Sequence, residues 1–530
     1  MSADTRVVDA TPSAVPAGQG IAQAAGIIAL GNVTSRILGL ARETVIAHLF
    51  GATGLVSTFR VASRVPTMIF DLLIGGAISS ALIPVFSDYA ASERQEELWR
   101  IASIMLSLTL ALFSILILLL ELLAPQVAWL LGTGYGPRLQ AITTTLIRII
   151  LPSVAFFGLS AVLTGLLYSQ QRFVYPAFGA AIFNAGIIVG ALALGPYLGI
   201  TSLSLGVLLG AILQTAIQLP GLRRMRLAFS LDLSHPGLRR IAQLYTPVML
   251  GLVISQAAVA LDTHLASRAG EQALAWMQNA TTLIQFPLGL VVTAISMAVL
   301  PSLARLDAQA DLEGFRRTLA LGLRLVLVLI VPATAGLFVL GRPIVALLFE
   351  HGAFTPQDTA WTTLALDYYL LGLPFAAVDQ PLVYAFYARK DTRTPVLVGV
   401  MAIGVYLVVA LSLIRPLGMV GLVLANSAQW CSHALVMLTL LHRRLDGLRG
   451  QGLGITALKA LLAAAAMGGA VRLALAWIGG VVNVDAPMGE AILVGGAGLV
   501  GLGVYAALIS LLRVEEVRLI WEMVWKRIQR

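Results

Sequence analysis

The chain has 530 residues, of which 58% are hydrophobic and 12% charged, with a formal net charge of +9 and a mean hydropathy of +0.89. That balance excludes a soluble globular protein, and the lone Cys431 excludes an intrachain disulfide and a cysteine-based metal site. The positive charge sits mainly in loops between apolar runs, so it does not mark a nucleic-acid partner.

Residues 1–20 are small, polar and Pro-containing and read as a disordered tail, without the basic start or small-residue cleavage pattern of a signal peptide. Apolar segments then recur near 21–50, 55–90, 97–124, 138–169, 173–197, 200–222, 239–267, 273–304, 315–341, 357–388, 394–414, 417–441, 453–479 and 487–512. Each is long enough to cross a hydrocarbon core of about 30 Å as a helix. The second is too long for a straight crossing, and Pro66 predicts a kink in it. The abundant glycines suit close packing of membrane helices. Residues 514–530 place Val514, Val517, Trp521, Val524, Trp525 and Ile528 on one helical face, which predicts an amphipathic helix at the membrane interface.

Arginines set the orientation. Loops after even-numbered segments carry Arg94, Arg100, Arg172, Arg223, Arg239, Arg305, Arg316, Arg389, Arg443 and several more, whereas loops after odd-numbered segments hold Arg138, Arg268, Arg342 and Arg415. The positive-inside rule then puts both termini in the cytoplasm.

The two halves echo each other. Residues 163–176 match 382–395 at an offset of 219, with Tyr168 and Tyr387 before a polar turn and Pro176 and Pro395 after it. Leu151-Pro152 matches Leu373-Pro374, and Ile83-Pro84 matches Leu300-Pro301. A repeat of six helices, an even number, enters the membrane twice in the same direction. The expected fold is an all-α polytopic membrane protein of 14 transmembrane helices. Two six-helix bundles (21–230 and 231–446) are related by a pseudo-two-fold along the membrane normal, and helices 13 and 14 (447–513) lie outside the repeat.

Ionisable residues inside spans mark pathways or partnered sites. At helical spacing Asn32, Arg36, Gly39 and Glu43 share one face of the first helix, with Arg42 to the side. Arg60, Arg64 and Asp71 share one side of the second. Four arginines against Glu43 and Asp71 favour an anionic ligand, and guanidinium forks suit phosphate. Other readings stay open: Arg36 paired structurally with Glu43, and Arg60 and Arg64 reaching the membrane surface. Asp262 and His264 read either as a gate or as a solvated helix end. Arg148, Asp367 and Asp379 read as sites or structural pairs; Asn184, Gln285 and Asn426 read as inter-helix hydrogen bonds. No catalytic motif or nucleotide loop is present, so no enzyme activity and no cofactor are expected. Energy is expected from an ion gradient, the membrane potential or the substrate's own gradient.

Ser35-Arg36-Ile37-Leu38-Gly39-Leu40-Ala41-Arg42-Glu43, Phe286-Pro287-Leu288-Gly289, Leu348-Phe349-Glu350-His351-Gly352-Ala353-Phe354 and Arg389-Lys390-Asp391-Thr392-Arg393-Thr394-Pro395 resemble the signatures of the MviN/MurJ family, over about residues 25–445. The resemblance implies a member of the multidrug/oligosaccharidyl-lipid/polysaccharide exporter superfamily that moves lipid II from the cytoplasmic to the outer leaflet of the inner membrane by alternating access. It implies a cationic cavity for the pyrophosphate, formed by Arg36, Arg42 and Arg64 with Arg60 added here, and a lipid-tail groove toward helices 13 and 14. Asp71, Asp262, His264 and Gln285 are candidate gate or switch residues, with Asn32 and Glu43 in the cavity. The sequence departs from the family at Ser57, at Thr281-Thr282 and at Gln285, where acidic or basic residues are usual. The eleventh segment carries no Asn or Asp, so the sodium site of some members is not expected. The alternatives are a flippase for another undecaprenyl-linked oligosaccharide and a non-transporting scaffold for cell-wall synthases.

Overall fold

The computed structural model describes residues 17–72, 76, 78–91, 95–223, 226–445, 447, 450–482, 487–514 and 516. The expected tail therefore lies largely outside the described residues, as does the amphipathic helix except for Val514 and Glu516. Among the described residues the secondary structure is helical, without strands.

Every expected segment holds a helix or a broken helix. The first runs Ala17–Phe50, starting four residues earlier than expected. The second is Gly54–Phe70, followed by a π-helical stretch Ile78–Leu82 and a helix Ile83–Ala91. Pro66 sits inside the first of these pieces, so the irregularity falls beyond the proline rather than at it. The third is Gln95–Leu131, and the fourth breaks at Leu151-Pro152 into Pro137–Ile150 and Ser153–Ser169. The fifth and sixth are Gly179–Leu198 and Thr201–Ala216. The seventh, Pro236–Arg268, bends by 55° between residues 246 and 251. The eighth is Ala273–Pro287, a π-helical Leu288–Val292, then Thr293–Ala308. The ninth to twelfth are Leu312–Phe349, Pro356–Ala388, Arg393–Leu417 and Met419–Arg444. The thirteenth and fourteenth are Leu453–Val481 and Pro487–Leu511.

Ten of these helical segments are long and apolar enough alone to cross a membrane, and the bent seventh makes an eleventh. The second does not qualify because its unbroken helix has 17 residues, and the tenth and twelfth, at 33 and 26 residues, fall short by composition. Apolar side chains face outward as lipid requires: Leu122, Leu473 and Leu499 are 76%, 75% and 71% exposed.

The repeat is written in the backbone. Gln171 and Lys390, 219 residues apart, both have φ of 58°. Around them Gln171 N–H donates to the Tyr168 carbonyl and Arg172 N–H to Leu167; Lys390 donates to Tyr387 and Asp391 to Phe386. These are the same helix-ending turn used twice. Gly199 (φ 54°, ψ −137°) and Gly418 (φ 56°, ψ −128°) repeat at the same offset. Asp71 and Leu72 are π-helical, as are Leu288–Val292 at an offset of 217. The Leu151-Pro152 break has no equal, because Leu373-Pro374 lies inside the continuous tenth helix.

The seventh helix does not stay in one half. Its first part packs Ile241 with Leu98, Ile101 and Val162, and Arg240 pairs with Asp88 at 2.7 Å. Farther along, Asp262 meets the eleventh and twelfth helices. At the Phe50 end the halves touch through backbone: Ala353 N–H donates to the His48 carbonyl at 2.8 Å. Gly51 and Gly352 have φ of 64° and 65°, and a Cβ on Gly352 would stand 2.3 Å from the His48 carbonyl oxygen.

Candidate substrate cavity

Glu43 is the hub of the first cluster and is 1% exposed. Arg42 approaches it through Nε at 3.1 Å and also through Nη2, while Arg60 meets both carboxylate oxygens, Nη1 lying 3.2 Å from Oε1. Burying an unpaired charge is costly, and here one carboxylate is held by two guanidiniums. Arg42 Nη1 reaches Asn184 Oδ1 at 3.0 Å, and Asn184 Nδ2 donates to the Ser35 carbonyl at 3.1 Å. Asn184 is thus the inter-helix bond expected of it.

Two expectations change here. Arg36 is not the partner of Glu43: it donates across to the Gln285 carbonyl at 2.9 Å, and its guanidinium lies against Gly289 of the eighth helix. Arg60 does not reach a membrane surface; it is 8% exposed and held by Glu43. Arg64 keeps more freedom, with Nη2 3.3 Å from Gln278 Oε1. Arg42, Arg60, Arg64, Phe157, Phe183 and Gln278 line a cavity of about 160 Å³. Asn32 is exposed one turn before Arg36, and Asp71 is half-buried in the π-helical turn after the second helix. Neither is drawn into the Glu43 cluster. Gln285 contributes its backbone carbonyl to Arg36.

A second chamber, about 470 Å³, opens between the seventh, tenth, eleventh and twelfth helices, with Arg64 in its wall. Asp262 is no solvated helix end: its Oδ1 accepts from Tyr406 Oη at 2.7 Å and from Asn426 Nδ2 at 3.3 Å. Asp379 and His433 share a hydrogen bond of 2.7 Å in the same chamber. His264 turns away and donates to the Leu130 carbonyl at 2.6 Å, with Thr133 Oγ1 at 3.3 Å. It lies where the two halves meet.

An apolar groove of about 880 Å³ runs between the ninth, tenth, twelfth and thirteenth helices, lined by Leu327, Phe338, Leu371, Leu461 and Gly468, with Arg472 in its wall. The fourteenth helix packs behind it and lends no described residue to its lining.

A charged interior enclosed by lipid-facing helices, with an apolar groove alongside, defines a multi-pass membrane transporter. An inward-facing multidrug resistance MATE family transporter of the MOP superfamily has the same fold, with a TM-score of 0.65 at 14% identity over 78% of this chain and 95% of that one. A solved lipid II flippase MurJ in an inward closed conformation aligns with a TM-score of 0.75 at 25% identity, over 91% of this chain and 98% of that one. The family described as lipid II flippase MurJ matches residues 46–514. The lipid II flippase MurJ of Burkholderia cenocepacia is 30% identical over 78% of this chain and 82% of its own length. The probable lipid II flippase MurJ of Vibrio cholerae serotype O1 is 32% identical over 85% and 88%. The chain belongs to the lipid II flippase MurJ family.

Proposed function

We propose that this chain moves lipid II from the cytoplasmic to the outer leaflet of the bacterial inner membrane by alternating access, with both termini in the cytoplasm. The observation that carries this reading is the excess of guanidinium around one carboxylate: Arg42 and Arg60 share Glu43, while Arg36 and Arg64 bind only neutral groups. Arg36 and Arg64 are therefore free to exchange a neutral acceptor for the oxygens of a pyrophosphate, a stronger, charge-assisted bond. Glu43 holds Arg42 in place and competes for it, so the substrate is released rather than trapped. The apolar groove beside the thirteenth helix suits a polyprenyl tail. The two repeat bundles would rock about the cavity, driven by an ion gradient or the membrane potential, without covalent chemistry. Asp71, Asp262, His264 and Gln285 would act at the contacts that change. A contact with cell-wall synthases would deliver or receive the lipid.

The test is rescue of a bacterium depleted of its own lipid II flippase, read as lipid II exposed on the outer leaflet. Correct membrane insertion without rescue overturns the proposal. Rescue lost in Arg36→Ala and Arg64→Ala is the expected result.

A further inference from the structure

Asp262 and Asp379 face the chamber in the second half and Arg64 is the one arginine among its described lining residues, so it lacks the cationic excess of the first cavity. We propose that it is the saccharide subsite of the same cavity, taking the amino-sugar that follows the pyrophosphate; this rests on the flippase reading above.

Arg64 carries the connection. It lines both the arginine cavity and the second chamber, so a phosphate held there has its sugar substituent at the mouth of the chamber. The lining is suited to a neutral polyhydroxyl ring. Asp262 receives Tyr406 and Asn426 on Oδ1, and Asp379 receives His433 on Oδ1, which leaves the second oxygen of each carboxylate to accept from sugar hydroxyls. Gln429 adds an amide, and Trp430, braced against Tyr369 at 5.9 Å, adds an aromatic surface for the ring's C–H face. Like-charge repulsion from the two carboxylates disfavours the pyrophosphate itself in the chamber, so the pyrophosphate stays with the arginines and the sugar ring takes the chamber. A volume of about 470 Å³ falls within the range of small-molecule sites, about 300–1,000 Å³.

The experiment compares two lipids on the full chain in nanodiscs: lipid II, and undecaprenyl pyrophosphate, which has the same tail and pyrophosphate but no sugar. Wild type should bind lipid II more tightly. Trp430→Ala and Asp379→Asn should each weaken lipid II about tenfold while leaving undecaprenyl pyrophosphate within twofold, and Trp430→Phe should keep most of the affinity. Retained binding of the sugar-free lipid shows that each variant is folded. Equal loss for both lipids, or unchanged lipid II affinity, overturns the subsite. A wild type that binds both lipids equally also overturns it but leaves the flippase reading standing. A wild type that binds neither lipid sinks that reading itself.

Discussion

The guanidinium of Arg36 occupies the space where a side chain on Gly289 would begin: a Cβ there would lie 1.8 Å from Nη2. Arg36 belongs to the first helix and Gly289 to the π-helical turn after Pro287 in the eighth, so this contact ties the two halves together. A Gly-to-Ala change inside a helix ordinarily stabilises by about 1 kcal/mol. Gly289→Ala is expected to do the reverse for transport, because Arg36 must leave the Gln285 carbonyl. Lipid II exposure should fall sharply, and the double variant with Arg36→Ala should be no worse than Arg36→Ala alone. Additive losses in that cycle would refute the coupling.

Glu43→Gln should destabilise the protein by roughly 3–5 kcal/mol, the usual loss when one partner of a buried ion pair is removed. Arg60 is left buried beside a neutral amide. Adding Arg60→Met should restore much of the loss. Thermal unfolding in nanodiscs measures both, and a Glu43→Gln protein as stable as wild type would show that water reaches Arg60.

Asp391 gives an acid-sensitive step outside the spans. The Thr394 hydroxyl donates to it at 2.6 Å and the Thr394 N–H at 3.0 Å; Arg393 N–H and the Arg444 guanidinium add to these. Thr394, by side chain and backbone, and then Arg444 hold the carboxyl well below its ordinary value of 3.8. A carboxylate depressed in the folded state stabilises above the unfolded value and loses that contribution as pH falls through the folded one. Melting temperature should therefore drop below about pH 4, and less steeply in Asp391→Asn. Identical acid profiles would assign the loss to other groups.

Gly468 lines the apolar groove in the thirteenth helix. Gly468→Trp should slow transport of the full polyprenyl lipid more than that of a short-chain analogue, since only the longer tail needs the filled space. Equal slowing of both would point to a general packing defect.

Much of the fold is legible in the sequence. Length and composition mark every helix, because a membrane span must satisfy its backbone internally and so leaves a long apolar run. The six-helix repeat was legible through Tyr168 and Tyr387, and the Gln171 and Lys390 turns give its geometry. Pro66 lies inside Gly54–Phe70, and the π-helical Asp71-Leu72 that follows it carries no mark in the sequence. The site was half legible. Arg42, Glu43, Arg60 and Arg64 do gather while Arg36 turns to the eighth helix, and Glu43 takes Arg60 from another helix as a second partner beside Arg42, which spacing along one helix cannot reveal. Asp262 with Tyr406 and Asn426, and Asp379 with His433, are pairs made across helices more than fifty residues apart in sequence. Only packing brings them together.

The contact of His48 with Gly352 and Ala353 also governs how the transporter would open. It is built from main-chain atoms, with one N–H to carbonyl bond and two glycines that let the strands of chain touch. Salt screens charged groups, so it should loosen this main-chain bond less than the ion pairs of the arginine cavity. In the proposed orientation the outward door is thus little touched by the salt of the medium beyond it, and the command to open comes from the cargo inside. Gly352→Ala, whose Cβ would collide with the His48 carbonyl, should hold that door ajar, seen as a longer distance between spin labels at Thr53 and Gln357.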